Sequence, residues 1–450
     1  LLARLSARMA DWAQRVVPDP FVIALGLTAL AAALGWVVMD EPSVSALAEG
    51  WFARFASPGT LAFTTQMALI LVAGAALARA PLVHGLLARL ASLPESSGSA
   101  AALTAFVAMA AGLANWGFGL IIGAMLARAI GDRARETGRP LNYALVGAAG
   151  YAGMMTWHGG FSGSAPLKVT EGLPGGGPGV PIDQTLLSAL NLGLTGALLV
   201  FVPWLLSRMA TPESERVLQP LPAQTNTGGE AGDVERHPAL GRLLGLFIVT
   251  LGGLALWTQR TAVDHWWQAI GLDTMILFLL LAGLALYGTP QRYGRAFGGS
   301  VTEAGGILLQ FPFYFGILGV LEASGLVQLM AEGSVEMSQG IAGWGLPLQW
   351  SFDMVTFSSA GLVNLFVPSG GGQWAVQGTI VTEAATELGL SLPRAIMALS
   401  YGDEWTNMAQ PFWALALLGI TGLKARDILG YSLTVMAASL LVYMAAFALL

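Results

Sequence analysis

The sequence predicts an all-α polytopic membrane protein: an inverted repeat with two re-entrant hairpins and broken transmembrane helices. Three observations carry this. Of 450 residues, 55% are apolar and only 11% charged, whereas a soluble chain needs roughly a quarter charged residues to face water. Several charge-free runs last about 20 residues, the length that crosses hydrocarbon. A set of motifs also recurs once along the chain.

Composition excludes several function classes. There is no cysteine, so neither disulfides nor thiolate metal sites are available. His84, His158, His237 and His265 lie far apart, without ligand spacing. A net charge of −6 offers no basic field for nucleic acid. Gly117, Gly119 and Gly123 sit inside an apolar run and do not follow a strand, so they make no dinucleotide fingerprint.

Along the chain, Leu2, Leu5, Met9, Trp12 and Val16 recur at helical spacing beside Arg4, Arg8 and Arg15. Residues 1–20 are therefore expected to form an amphipathic helix on the membrane surface, ended by Pro18 and Pro20. Full spans are clearest over Phe21–Met39, Leu61–Ala78, Leu186–Leu206, Leu243–Trp257, Met275–Tyr287 and Ile428–Leu449. Ala100–Ile130, Tyr143–Pro166, Gly305–Leu321 and the tract Ile341–Leu423 are less regular. Three of these four are interrupted by glycine, asparagine or proline, at a depth where open backbone is tolerated only under protein or beside a cavity. Residues 208–242 are polar and rich in Pro, Gly, Glu and Thr, which predicts a cytoplasmic linker between a first half, 21–207, and a second, 243–450.

Basic residues favour cytoplasmic loops. A cytoplasmic N-terminus, with hairpins at Asn115 and Asn364 returning to their own sides, leaves only Arg54, Lys168, Arg260 and Arg394 outside among the 21 Lys and Arg residues. The orientation is chosen to satisfy that bias. The motifs agree with it independently. Ala111-Gly112-Leu113-Ala114-Asn115 is echoed by Ala360-Gly361-Leu362-Val363-Asn364, and Tyr151 and Thr156 by Tyr401 and Thr406, at offsets of 249 and 250 residues. In this topology the two copies run in opposite directions, the arrangement that lets one midplane site open to either side in turn.

The interrupted segments carry the chemistry. Asn115, Trp116, Gly117 and Gly119 mark the first hairpin, and Thr156, His158, Gly160, Ser162 and Ser164 the first broken helix. In the second copy the hairpin holds Asn364, Ser369, Gly370, Gly371 and Gly372, and the break holds Asp403, Glu404, Thr406, Asn407 and Gln410. Half-helix N-termini offer free N–H groups and a dipole that favours a carboxylate. Hydroxyls and amides add neutral donors, and Trp and Phe suit a short alkyl chain. Taken singly, these features also fit plainer roles: Gly119 with Gly123 close helix packing, and Trp116, Trp157, Trp374 and Trp405 an interfacial belt. Asp403 and Glu404 either couple transport to an ion or face an aqueous vestibule. His158 is a proton-coupling candidate or simply a hydrogen-bonded side chain. Asp353 invites either an ionic role or a place at the end of a hairpin arm.

Asn115-Trp116-Gly117-Phe118-Gly119, Gly159-Gly160-Phe161-Ser162-Gly163-Ser164, Val367-Pro368-Ser369-Gly370-Gly371-Gly372 and the run Asn407 to Leu415 resemble those of the bacterial short-chain fatty acid transporter family. Pro18-Asp19-Pro20 and Gln310-Phe311-Pro312-Phe313-Tyr314 match as well. The resemblance covers nearly the whole chain. It implies uptake of short fatty acids such as acetoacetate or butyrate, a fold similar to the ion transporter superfamily, an elevator motion and a homodimer in the bacterial inner membrane. No cofactor is expected, and the coupling ion, H+ or Na+, stays open. So do the alternatives of a carrier for another small organic anion, a channel, and an intramembrane enzyme using His158 with Asp403 or Glu404. After Ser164 the first copy turns polar where the second stays apolar from Pro411 to Leu423, leaving open how the first broken helix ends.

Overall fold

The structure, a computed structural model, describes residues 20–173, 176–210, 216–217, 238–365, 369–410 and 413–450. The N-terminal amphipathic helix and most of the 208–242 linker lie outside the described residues. Within them the chain is helical, without a named strand; Leu141 and Arg216 form an isolated bridge.

The helices are α1 (Pro20–Val38), α2 (Val44–Phe55), α3 (Pro58–Ala78), α4 (Pro81–Leu90), α5 (Ser97–Ala114), α6 (Trp116–Glu136), α7 (Tyr143–Tyr151), α8 (Ser164–Lys168) and α9 (Ala189–Arg208). There follow α10 (Pro238–Thr261), α11 (Leu272–Tyr287), α12 (Pro290–Ser300), α13 (Gly305–Ala323), α14 (Leu326–Ala342), α15 (Leu348–Asn364), α16 (Gly370–Glu387), α17 (Leu392–Thr406), α18 (Leu415–Thr421) and α19 (Ala425–Leu449). Six of these, α3, α5, α9, α10, α13 and α19, are long and apolar enough to cross a bilayer, and α1 and α11 are shorter apolar helices. Each expected span falls on one helix. The apolar stretch of α3 is 67% buried and that of α10 only 11%, so α3 belongs to the protein core while α10 presents its side chains outward.

Starts and stops follow local chemistry. Ser57 accepts a hydrogen bond from the Thr60 amide while Pro58 opens the first turn of α3. Ser96 and Ser99 cap each other's backbone at the head of α5. Gly288, at φ +74, ends α11 in the left-handed region.

One order of elements occurs twice. A long helix (α3, α13) is followed by a shorter one (α4, α14), a helical hairpin (α5/α6, α15/α16), an interrupted helix (α7 to α8, α17 to α18) and a long closing helix (α9, α19). The first hairpin turns on Asn115 alone, whose backbone is extended. In the first interrupted helix, 3-10 turns at Ala152–Met155 and Trp157–Gly159 precede α8, which runs five residues before a further turn ends it. The chain then folds back, with the Val180 amide bonded to the Val169 carbonyl at 2.8 Å. The second break continues into the seven-residue α18. The region Gly305–Leu321 proves to be one helix, α13, running through Pro312.

Helix α13 lies against α1, α2, α3 and α16. It meets α2 at Gly50 and Gly319, where the backbones touch: a Cβ on Gly50 would lie 2.6 Å from the Gly319 carbonyl oxygen. Arg54 and Glu322 clamp the same pair through two hydrogen bonds of 2.6 Å.

Candidate functional site

The two hairpin tips and the two breaks converge. At the first tip, the Asn115 side chain caps α6 by accepting from the Phe118 amide at 2.8 Å and donates to the Ile70 carbonyl at 3.0 Å. It thus ties the tip to α3. The first break is stitched to the same tip: the Trp116 amide donates to Ser162 Oγ at 2.8 Å and the Phe161 amide to the Leu113 carbonyl at 2.7 Å. Thr156 Oγ1 donates to the Met109 carbonyl at 2.9 Å. A Cβ on Gly160 would enter the Leu113 backbone, which is why this turn is glycine. Gly117 packs on Leu71, Gly119 on Gly112 and Gly123 on Gly150, so the last two serve close helix packing.

The second copy is stitched differently. The two hydrogens of Asn364 Nδ2 are shared among the Asp403 carbonyl at 2.7 Å, Thr406 Oγ1 at 2.9 Å and Asn407 Oδ1 at 2.9 Å. Gln410 Nε2 donates to the Asn364 carbonyl, and Thr406 Oγ1 to the Gly361 carbonyl at 3.0 Å. Asn364, Thr406, Asn407 and Gln410 therefore form one buried network that holds the break against the hairpin. Ser369 accepts from the Gly372 amide at 3.2 Å and so caps α16.

Between these parts lies a small cavity of roughly 20 Å³, room for about one water-sized molecule. Trp116, Trp157, Trp413, Met67, Met154, Ile307 and Phe311 wall it with apolar surface. Its polar part is Ser164, Ser369, Gly370 and Gly371. The first-turn amides of α16, which a helix leaves without intrahelical partners, belong to the last two. Trp116 packs edge-on to Trp413 at 5.1 Å between ring centroids. No lysine or arginine lines this cavity. Of the predicted site residues, Trp116, Ser164, Ser369, Gly370 and Gly371 reach it; the others form the shell behind. Met67, Met154, Ile307 and Phe311 were not singled out as site residues from sequence, because nothing local marks an apolar helix residue as lining a cavity.

The titratable candidates lie directly beneath. His158 Nε2 and Asp403 Oδ2 are hydrogen-bonded at 2.6 Å, both side chains essentially without solvent exposure. The His158 amide donates to Glu404 Oε2 at 3.0 Å, and the Tyr443 hydroxyl to Glu404 Oε1 at 3.2 Å. The Trp157 ring lies tilted against that of His158, with centroids 3.7 Å apart. Gly370 rests on that pair: a Cβ there would lie 2.5 Å from His158 Nε2 and 2.6 Å from the Trp157 ring. Asp403 and Glu404 thus face protein, not a vestibule. Among the described residues no three His, Asp or Glu side chains form a metal cluster. Asp353 pairs with Arg394 at 2.5 Å, and Arg394 also donates to the Phe447 carbonyl, so this carboxylate ties α15 to α17 and α19. Trp405 donates to the Met436 carbonyl at 2.7 Å and lies off the cavity.

Helical hairpins and interrupted helices gathered around a buried amphipathic cavity suit a multi-pass membrane transporter. Two solved structures share the fold. MtrF of Neisseria gonorrhoeae, described as one of a class of antimetabolite efflux pumps, aligns with a TM-score of 0.59 at 14% identity, over 98% of this chain and 96% of its own. The YdaH transporter of Alcanivorax borkumensis, reported to have an unusual topology, aligns at 0.55 with 17% identity, over 95% and 98%. The chain belongs to the short-chain fatty acid transporter family, whose model matches residues 1–450. Curated relatives named for short-chain fatty acid transport are 37% identical over 447 residues in Escherichia coli (strain K12) and 33% identical over 454 residues in Haemophilus influenzae, each covering 96% of both chains.

Proposed function

We propose that this chain carries small monocarboxylates, such as acetoacetate or butyrate, across the bacterial inner membrane by alternating access. The observation that bears most weight is the cavity shared by one hairpin tip, the other hairpin's helix start and both breaks. Its chemistry is amphipathic: hydroxyls and helix-start amides for a carboxylate, tryptophans for an alkyl tail. A dicarboxylate would call for a cation there.

In this reading the carboxylate is held by Ser164, Ser369 and the Gly370 and Gly371 amides. The two halves, 21–207 and 243–450, are related by inversion, the hairpins are re-entrant, and the N-terminus and the 208–242 linker are cytoplasmic. Residues α1 to α3 and α10 to α13 frame a body made of the hairpins and interrupted helices, which moves as an elevator in a homodimer. The cavity admits no carboxylic acid at its present size, so loading requires the tip of α16 to move away from α13. His158, Asp403 and Glu404 are the proton-coupling candidates, while a sodium ion would use backbone carbonyls beside Asn115 and Asn364.

Saturable counterflow of labelled butyrate in proteoliposomes, repeated under imposed proton and sodium gradients, tests this directly. Exchange that accelerates with one gradient identifies the ion. Flux that fails to saturate, or that ignores trapped unlabelled butyrate, removes the carrier reading.

A further inference from the structure

We propose that a second cavity is an outer capture site for the substrate carboxylate, with Lys168 and Arg54 as its charge partners. The inference rests on the carrier reading above and adds to it the charge recognition that the central cavity lacks. The cleft measures about 200 Å³ and lies between the α2–α3 junction, the segment after α8, and helices α13 and α16. Arg54, Lys168, Thr60, Thr379, Phe315 and Trp374 are among its lining residues, and both charged side chains there are cations. A short fatty acid would set its carboxylate between them and lay its tail on Phe315 and Trp374.

The acidic partners of these cations stand outside the lining. Lys168 pairs at 2.5 Å with Glu171, three residues on, at side-chain exposures of 27% and 38%. Arg54 pairs with Glu322 at exposures of 44% and 29%. A single-contact, partly exposed pair such as Lys168–Glu171 contributes only about 0–1 kcal/mol, so an incoming carboxylate can replace Glu171 at little cost. The cleft also adjoins the central cavity. Phe63, over which Lys168 sits at 5.3 Å, has its ring centroid 6.1 Å from that of Phe311, which lines the central cavity, and 6.0 Å from that of Phe315, which lines the cleft. Trp374 lies one helical turn beyond Gly370. One aromatic wall thus divides the two cavities, and the hairpin tip leans on it: a Cβ on Gly371 would lie 2.6 Å from the Phe311 ring.

In the orientation favoured by the basic residues, Arg54 and Lys168 are two of the four on the outer side. Once Glu171 gives way, Lys168 there holds an anion at the mouth of the pathway, an effect that salt screens.

Lys168→Gln is the deciding variant, because its ion pair is local to one turn; Arg54 also clamps α2 to α13. The full-length protein in proteoliposomes is assayed for labelled butyrate counterflow, with half-saturation measured separately at each membrane face. Lys168→Gln should raise half-saturation five-fold or more at one face only, keep the maximal rate, and blunt the salt dependence at that face; Lys168→Arg should behave as wild type. Half-saturation unchanged at both faces, or raised equally at both, overturns the proposal. Wild-type protein without counterflow rejects the carrier reading itself, a separate outcome.

Discussion

Gly370 shows how closely single residues are held at this site. Any side chain there pushes on His158 and Trp157 at once, and moving His158 breaks its 2.6 Å contact with Asp403. We expect Gly370→Ala to lower butyrate counterflow at least ten-fold. Gly305→Ala, where an added Cβ meets nothing within 4 Å, should leave it unchanged, and equal rates for the two would detach the tip from the site. Ser369→Ala removes a cap worth about 1 kcal/mol and one proposed donor to the substrate, so its half-saturation should rise about five-fold. His158→Ala strips a buried acid of its partner, a change that costs about 3 kcal/mol and should appear as a lower melting temperature in detergent. The polar residues of the breaks were legible because Asn, Ser, Thr and Gly stand out inside apolar runs. Their division of labour was not. Asn364 and Gln410 look like ligand donors in sequence, but the Gln410 amide nitrogen donates to the Asn364 carbonyl and that of Asn364 to the Asp403 carbonyl, Thr406 and Asn407, a fact set by contacts about forty residues away.

Among the elements, the long apolar spans were legible to within a few residues, since hydropathy alone specifies them. Helices α2, α4, α12 and α14 were not. Each is shorter or carries charge along one side, as Arg54 does in α2 and Glu332 and Glu336 in α14, so none produces a continuous apolar run. Helix α13 runs through Pro312 because neighbouring helices cover it there. The crossing of α2 and α13 depends on two glycines that hydropathy cannot pair. Gly319→Ala would drive a methyl into the Gly50 backbone and should destabilise the protein by about 1–3 kcal/mol. Thermal unfolding compared with Gly26→Ala, where the added carbon meets nothing within 4 Å, isolates that effect; matching melting temperatures would mean that the crossing tolerates a wider spacing.

For the whole molecule, the twice-used element order matters because its two copies interlock. Tyr151, in the first interrupted helix, shares its hydroxyl hydrogen between the carbonyls of Asn407 and Gln410 in the second, both at 2.8 Å. Its counterpart Tyr401 donates at 2.9 Å to Asn191, which in turn holds the Gly159 carbonyl of the first break at 2.9 Å. Each copy thus braces the other's open backbone and ties the two breaks into one body. If that body slides past α13, then Ile307 on α13 and Ser369 at the head of α16, which line the same cavity, must separate during each cycle. The absence of native cysteine makes this testable without background. Ile307→Cys with Ser369→Cys, joined by a short thiol-reversible cross-linker, should lose butyrate counterflow and regain it on reduction. Each single cysteine treated with the same reagent sets the effect of modification alone. Full activity in the cross-linked protein would show that α13 and the hairpin stay together, and the sliding motion would have to be abandoned.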